Sequence, residues 1–164
     1  MRPFWSVIGM ALLVWGCVLD RPGGAVVQPG DTLPSFTVQM EDGSVLSSRD
    51  LLGNPSCIIF FNTTCGDCRR TLPHVQRVYE EYGEKVRFVA ISREQVAADV
   101  REWWNANGIT LPFSAQADRA VYSLFAESRI PRIYIVDSEG RIQSAYDDNP
   151  CPDYETLKGK LSAF

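Results

Sequence analysis

Apolar and polar positions along this chain follow two different periods. Cys57-Ile58-Ile59-Phe60-Phe61 is an unbroken apolar run that stops at Asn62, the mark of a short strand buried on both faces. Beyond Cys68 the spacing changes. Leu72, Val75, Val78 and Tyr79 recur at three and four residues, which predicts an amphipathic helix broken at Gly83 and kinked by Pro73. Tyr79, Glu80 and Glu81 read as its solvated edge. Val86 to Ser92 predicts a second buried strand. Ser92-Arg93-Glu94-Gln95 matches a capping box, before a helix that carries Val96, Val100, Trp103 and Trp104 and stops at Asn107-Gly108. Asp118 is expected to cap another helix through Val121, Leu124 and Phe125. Arg132 to Asp137 predicts a third strand, Ser138-Glu139-Gly140 a turn, and Arg141 to Tyr146 a fourth strand. Pro152 opens a last helix with Tyr154, Leu157 and Leu161 on one face.

Ahead of these elements, Phe36 to Met40 alternates apolar and polar as a half-buried strand does. Glu41-Asp42-Gly43-Ser44 supplies turn residues, and Val45-Leu46 is placed to pair back as a hairpin. Ser47 or Ser48 then caps a short helical turn through Leu51-Leu52, ended by Gly53. The order implies a parallel βαβ unit followed by antiparallel strands. The class is therefore α/β, a central mixed sheet flanked by helices, with an N-terminal β-hairpin extension.

The first residues do not belong to that pattern. Phe4 to Trp15 is almost entirely apolar behind Arg2, too short to span a hydrocarbon core of about 30 Å comfortably. Residues 1–16 read as a cleaved signal peptide. Val14-Trp15-Gly16-Cys17 resembles a bacterial lipoprotein box, which implies lipid on Cys17 and a membrane anchor. Residues 17–29, with Pro22, Gly23, Gly24 and Pro29, read as a tether, and 30–164 as the folded domain. The destination is the cell envelope outside the cytoplasm, where disulfides persist. The 164 residues suffice for one ordinary domain, and a formal charge of −4 argues against a nucleic-acid surface or a polybasic membrane patch.

The chemistry sits where strand gives way to helix, at Cys65-Gly66-Asp67-Cys68. There a C-x-x-C pair reads as a redox dithiol. Cys65 is expected at the helix N-terminus, where unpaired N–H groups and the dipole favour a thiolate, making it the nucleophile. Cys68 lies about one turn on and is placed to resolve a mixed disulfide. Arg69 and Arg70 favour the thiolate while Asp67 opposes it. A zinc site needs more ligands than one histidine and no second C-x-x-C provide, so no metal and no cofactor are expected. Cys57 reads as a buried small hydrophobe. Cys151 reads as a near-surface bystander, with a regulatory thiol or an intermolecular link as the alternatives. His74 stands about half a helix circumference from Cys65 and reads as a surface residue. At most one of the adjacent Trp103 and Trp104 points fully inward.

With these residues in hand, the chain resembles the thioredoxin superfamily, and more narrowly the membrane-anchored TlpA-like thiol-disulfide oxidoreductases of AhpC/TSA-redoxin type. The resemblance covers about residues 30–161. Its carriers are Gly30-Asp31-Thr32-Leu33-Pro34-Ser35-Phe36, Asp42-Gly43, the Cys65–Cys68 motif, Pro73, Ile130-Pro131, Ile133 to Asp137, and Gly140. It implies a thioredoxin-like fold and a cis Pro131 facing the dithiol, with the Ile130 backbone open to an extended substrate segment. It further implies protein thiols and disulfides as substrates, an upstream membrane or periplasmic thiol donor, and action as a reductase on exported proteins. Three positions depart from the family pattern. Thr64 stands where an aromatic is usual, and Ile59 and Thr71 stand where acid/base carboxylates occur. Two other readings are a peroxiredoxin-like thiol peroxidase and a copper metallochaperone. The first lacks its Thr and Pro at Asn62 and Ile58, and the second requires a longer cysteine spacing and a distant histidine.

Overall fold

The computed structural model describes residues 26–164. Its elements in chain order are β1 (Thr37–Gln39), β2 (Val45–Ser47), a 3₁₀ turn (Ser48–Leu51), β3 (Ser56–Phe61), α1 (Gly66–Tyr82), β4 (Arg87–Ser92) and α2 (Ala97–Asn107). They continue with β5 (Phe113–Ser114), α3 (Ala120–Ser123), β6 (Arg132–Val136), β7 (Ile142–Tyr146) and α4 (Tyr154–Leu161). The main sheet runs β5-β4-β3-β6-β7, and β1 and β2 form a separate antiparallel hairpin. β4 lies parallel to β3 and to β5, whereas β6 is antiparallel to β3 and β7 to β6. All six residues of β3 are buried, which is why its sequence is apolar without alternation.

Strands β3, β4 and β5 step in one direction across the sheet. Right-handed crossovers therefore put α1 and α2 on the same face. Alternate residues of β3 serve the two faces. Phe61 packs on Trp104 of α2 with ring centroids 4.7 Å apart. Phe60 turns the other way, onto Tyr122 of α3 and Phe125, at 5.5 and 4.8 Å. Helix α4 closes against α1, where Glu81 accepts from Tyr154 and pairs with Lys158 at 2.8 Å. Glu81 is thus a helix–helix tie, and Tyr79 stacks edge-on against Phe88, so the expected solvated edge is largely an inter-element contact.

A buried glutamine fixes the approach to β5, an edge strand of two residues that the sequence pattern did not announce. The Gln76 carbonyl accepts from the N–H groups of Thr110 and Leu111 at 2.9 and 3.2 Å, and its amide donates to Thr110 Oγ1 and Glu80. Gln76→Ala strands two backbone donors in a mostly buried segment. It is expected to cost about 2–4 kcal/mol, read as a lower denaturation midpoint at unchanged slope.

Other boundaries moved for local reasons. The 3₁₀ turn after β2 opens as expected at Ser47, whose N–H and hydroxyl both donate to Asp50. Helix α1 runs unbroken through Pro73. Gly108 ends α2 in the left-handed region at φ 64°, where a side chain is strained. The capping box at Ser92–Gln95 does not form. Ser92 Oγ bonds the Gln95 carbonyl, Glu94 takes φ 56°, and α2 starts later, after an exposed Val96. Asp118 does receive the Ala120 N–H, but α3 ends at Ser123, leaving Leu124 exposed and Phe125 in the core. Packing also begins before Gly30. Val27, in the stretch expected as tether, is fully buried and donates to the Phe125 carbonyl at 2.8 Å. Residues 1–16 and Cys17 lie outside the described residues.

Candidate functional site

The site is built at the point where β3 ends. Asn62 turns the chain: its side-chain oxygen accepts from Thr64 N–H at 2.8 Å and its carbonyl from Cys65 N–H at 3.1 Å. Its side-chain amide reaches the Arg93 carbonyl at 2.9 Å, in the loop after β4. The same loop sends Gln95 back across the sheet end. Gln95 Oε1 accepts from Thr63 N–H at 2.9 Å, and its amide donates to the Thr63 hydroxyl. Both groups are buried, so this clamp fixes the turn that presents the cysteines. In the sequence pattern Gln95 belongs to a capping box, which gives no sign of this clamp. Only the parallel register of β3 and β4 brings residues 32 apart into contact.

Cys65 is the N-cap of α1. It is half-buried, and its sulfur accepts from the Cys68 N–H at 3.5 Å. Its thiol also points at the Ile130 carbonyl, 3.5 Å away. The Ile130–Pro131 peptide is cis. Thus Cys65, Cys68, Ile130 and Pro131, separated by as many as 66 positions, form one locus. Tyr122 supports it from below: its hydroxyl donates to the Arg129 carbonyl at 2.7 Å, next to Ile130.

Cys68 differs sharply from its partner. It is fully buried, and burial pushes its thiol far above the ordinary cysteine value. The Asn62 backbone N–H and the Arg93 charge pull it back, while the neighbouring Cys65 pushes it further up. Arg70 forms an ion pair with Asp67, so those two flanking charges largely neutralise each other. Arg69 donates to the Thr63 carbonyl at 2.7 Å and serves the turn. Thr71, at one of the departures noted above, is buried with its hydroxyl unpartnered.

The remaining candidates fall elsewhere. Cys57 is buried in β3, and burial alone raises its thiol. His74 is half-exposed on α1. Trp104 is buried and Trp103 half-exposed. Cys151 lies in the loop after β7. Among the described residues, no group of three or more His, Cys, Asp or Glu side chains is placed to hold a metal.

The chain is 23% identical over 117 residues to the thiol-disulfide oxidoreductase ResA of Bacillus thuringiensis (strain Al Hakam), covering 71% of this chain and 68% of that protein. A secreted Mycobacterium tuberculosis disulfide oxidoreductase superposes with TM-score 0.71 at 17% identity, over 79% of this chain and 96% of that one. The pneumococcal exposed lipoprotein thioredoxin Etrx1 of Streptococcus pneumoniae strain TIGR4 gives 0.67 at 18%, over 80% and 100%. The fold is therefore thioredoxin-like. Because the AhpC/TSA family model matches residues 29–145, well over half of the 164, the chain belongs to the AhpC/TSA family.

Proposed function

We propose that the protein is a thiol-disulfide oxidoreductase of the ResA type, working through Cys65 and Cys68 as a protein-disulfide reductase. The observation that carries this reading is the half-buried Cys65 sulfur at a helix N-cap, within reach of both the Cys68 N–H and the Ile130 carbonyl. The hydrogen bond from Cys68 strengthens as the Cys65 sulfur gains negative charge. The Cys65 thiolate attacks one sulfur of a substrate disulfide. That bond breaks, the Cys65–substrate disulfide forms, and the other substrate sulfur leaves as a thiolate that takes a proton. Cys68 then loses its proton and attacks Cys65, closing the Cys65–Cys68 disulfide and releasing the reduced substrate. An upstream thiol donor returns the pair to dithiol. Ile130, ahead of Pro131, offers a backbone edge against which an extended substrate segment aligns.

Substrates on this reading are exported proteins, and the site of action is the periplasmic face of the cell envelope, with lipid on Cys17 as anchor. Relatives described as secreted and as an exposed lipoprotein support that placement. The direct test is turnover of insulin disulfides with a thiol reductant. Activity from the wild type and none from Cys65→Ser is the expected result; an inactive wild type, or a fully active Cys65→Ser, overturns it.

The burial of Cys68 sets a pH dependence for the second step. Its thiol value is raised, so below that value the thiolate fraction grows about tenfold per pH unit. Decay of a preformed Cys65 mixed disulfide is expected to accelerate with that slope from about pH 6 to pH 9. A plateau below about pH 8 contradicts the assignment of Cys68 as the buried resolving group.

A further inference from the structure

A cavity of about 360 Å³ lies beside the end of β7, lined by Gln28, Arg132, Tyr146, Asp147, Cys151 and Thr156 among others. That volume is within the range of small-ligand pockets. Three of its groups are chemically unusual together.

Arg132 is 8% exposed. Its guanidinium donates to the Ser128 carbonyl at 3.2 and 3.3 Å and lies beside the Tyr134 phenol. Both neighbours are neutral, and among the described residues no carboxylate pairs with it. Its direct partners among the described residues are neutral, so it can take a ligand carboxylate in a charge-assisted pair, next to the Asp147 already on the cavity wall. Asp147, half-buried, lines the same cavity, with one oxygen accepting from Asn149 N–H at 2.9 Å. Its negative charge disfavours a simple anion and favours a ligand that also carries an ammonium group. Cys151, half-buried, adds a thiol whose sulfur sits 3.7 Å from the Asp148 carbonyl. The loop that carries it is tied down by the Arg129–Asp148 ion pair at 3.1 Å.

We propose that this cavity receives a small α-amino-acid disulfide of the cystine class and that Cys151 is its site of S-thiolation. The ligand's carboxylate meets Arg132, its ammonium meets Asp147, and its sulfur meets Cys151. The Cys151 thiolate attacks one sulfur of the ligand, whose S–S bond breaks. A Cys151–ligand disulfide forms, and a small thiolate leaves and takes up the proton released by Cys151. The protein thiol is oxidised and half of the ligand reduced. This inference does not rest on the Cys65–Cys68 reading, since the cavity uses neither residue.

The test uses the full chain with Cys65→Ser and Cys68→Ser, so that the dithiol neither reacts nor reverses the adduct. Cystine is compared with cystamine, which lacks the carboxylate, and with dithiodipropionate, which lacks the ammonium. Adducts are located by peptide mass mapping, and rates are normalised to the same chain unfolded in denaturant. Cystine is expected to modify Cys151 about tenfold faster than either analogue. Arg132→Gln is expected to erase the advantage over cystamine, and Asp147→Asn the advantage over dithiodipropionate. Asp147 sits on a loop, so its variant keeps the test informative if the Arg132 variant fails to fold. Equal normalised rates for all three disulfides, an adduct at another cysteine, or selectivity unchanged in Asp147→Asn overturns the proposal.

Discussion

Replacing Cys65 by serine is expected to abolish disulfide turnover, a loss on the order of 10³-fold or more, while leaving stability nearly untouched. The hydroxyl is a far weaker nucleophile and leaving group than the thiol, and a half-buried position accepts the smaller atom easily. Cys68→Ser is expected to lose turnover almost as completely, but by a different route. The first attack still proceeds, the Cys65 mixed disulfide accumulates, and covalent partners become recoverable on non-reducing gels. The two variants thus separate attack from resolution. An active Cys65→Ser, or a Cys68→Ser that traps nothing, breaks the assignment of roles. The asymmetry has a visible cause. One sulfur sits at the helix cap against the Ile130 carbonyl, and the other is sealed in the core beneath it.

Phe60→Ala is expected to cause the largest loss of stability, about 3–5 kcal/mol. Against a typical domain total of about 5–15 kcal/mol, that brings the protein close to its threshold. Phe60 is fully buried and sits among three rings, Phe125, Tyr122 and Tyr134, at 4.8, 5.5 and 6.3 Å. Its removal empties the centre of the face on which α3 packs. It also lies opposite Arg132 in the β3–β6 register, so the segment that carries Ile130 and Pro131 loses its support. Chemical denaturation should show a lower midpoint with unchanged slope. Val45→Ala, on a residue 68% exposed, is the control and should stay within about 0.5 kcal/mol of wild type. Equal effects of the two substitutions would show that this aromatic cluster is not central to the core.

Much of this was legible along the chain. The apolar run of β3, the 3.6-period face of α1 and the dithiol between them are local features, each set by residues within a turn or two of one another. The hairpin β1–β2 and the left-handed stop at Gly108 were legible for the same reason. Ser92 to Gln95 failed as a cap because a competing long-range partner won. Thr63 offers Gln95 a donor and an acceptor inside the core, where leaving an amide unpaired costs more than forgoing a cap at an exposed helix end. Strand β5 was invisible because two residues carry no period, and its place is set by long-range contacts: the pairing with β4, the bond from Glu41 N–H to the Phe113 carbonyl and the Gln76 bridge.

The sequence by itself determined the fold class and which sulfurs stand at a helix start, since hydrophobic period and cap position are properties of neighbouring residues. It could not determine what surrounds those sulfurs. The seating of Ile130 against Cys65, which only the family resemblance implied, the sealing of Cys68, and the shared cavity of Arg132 and Cys151 depend on sheet order and register, which join positions far apart in the chain. Burial and charge pairing belong to that assembled neighbourhood, and they set how each thiol behaves.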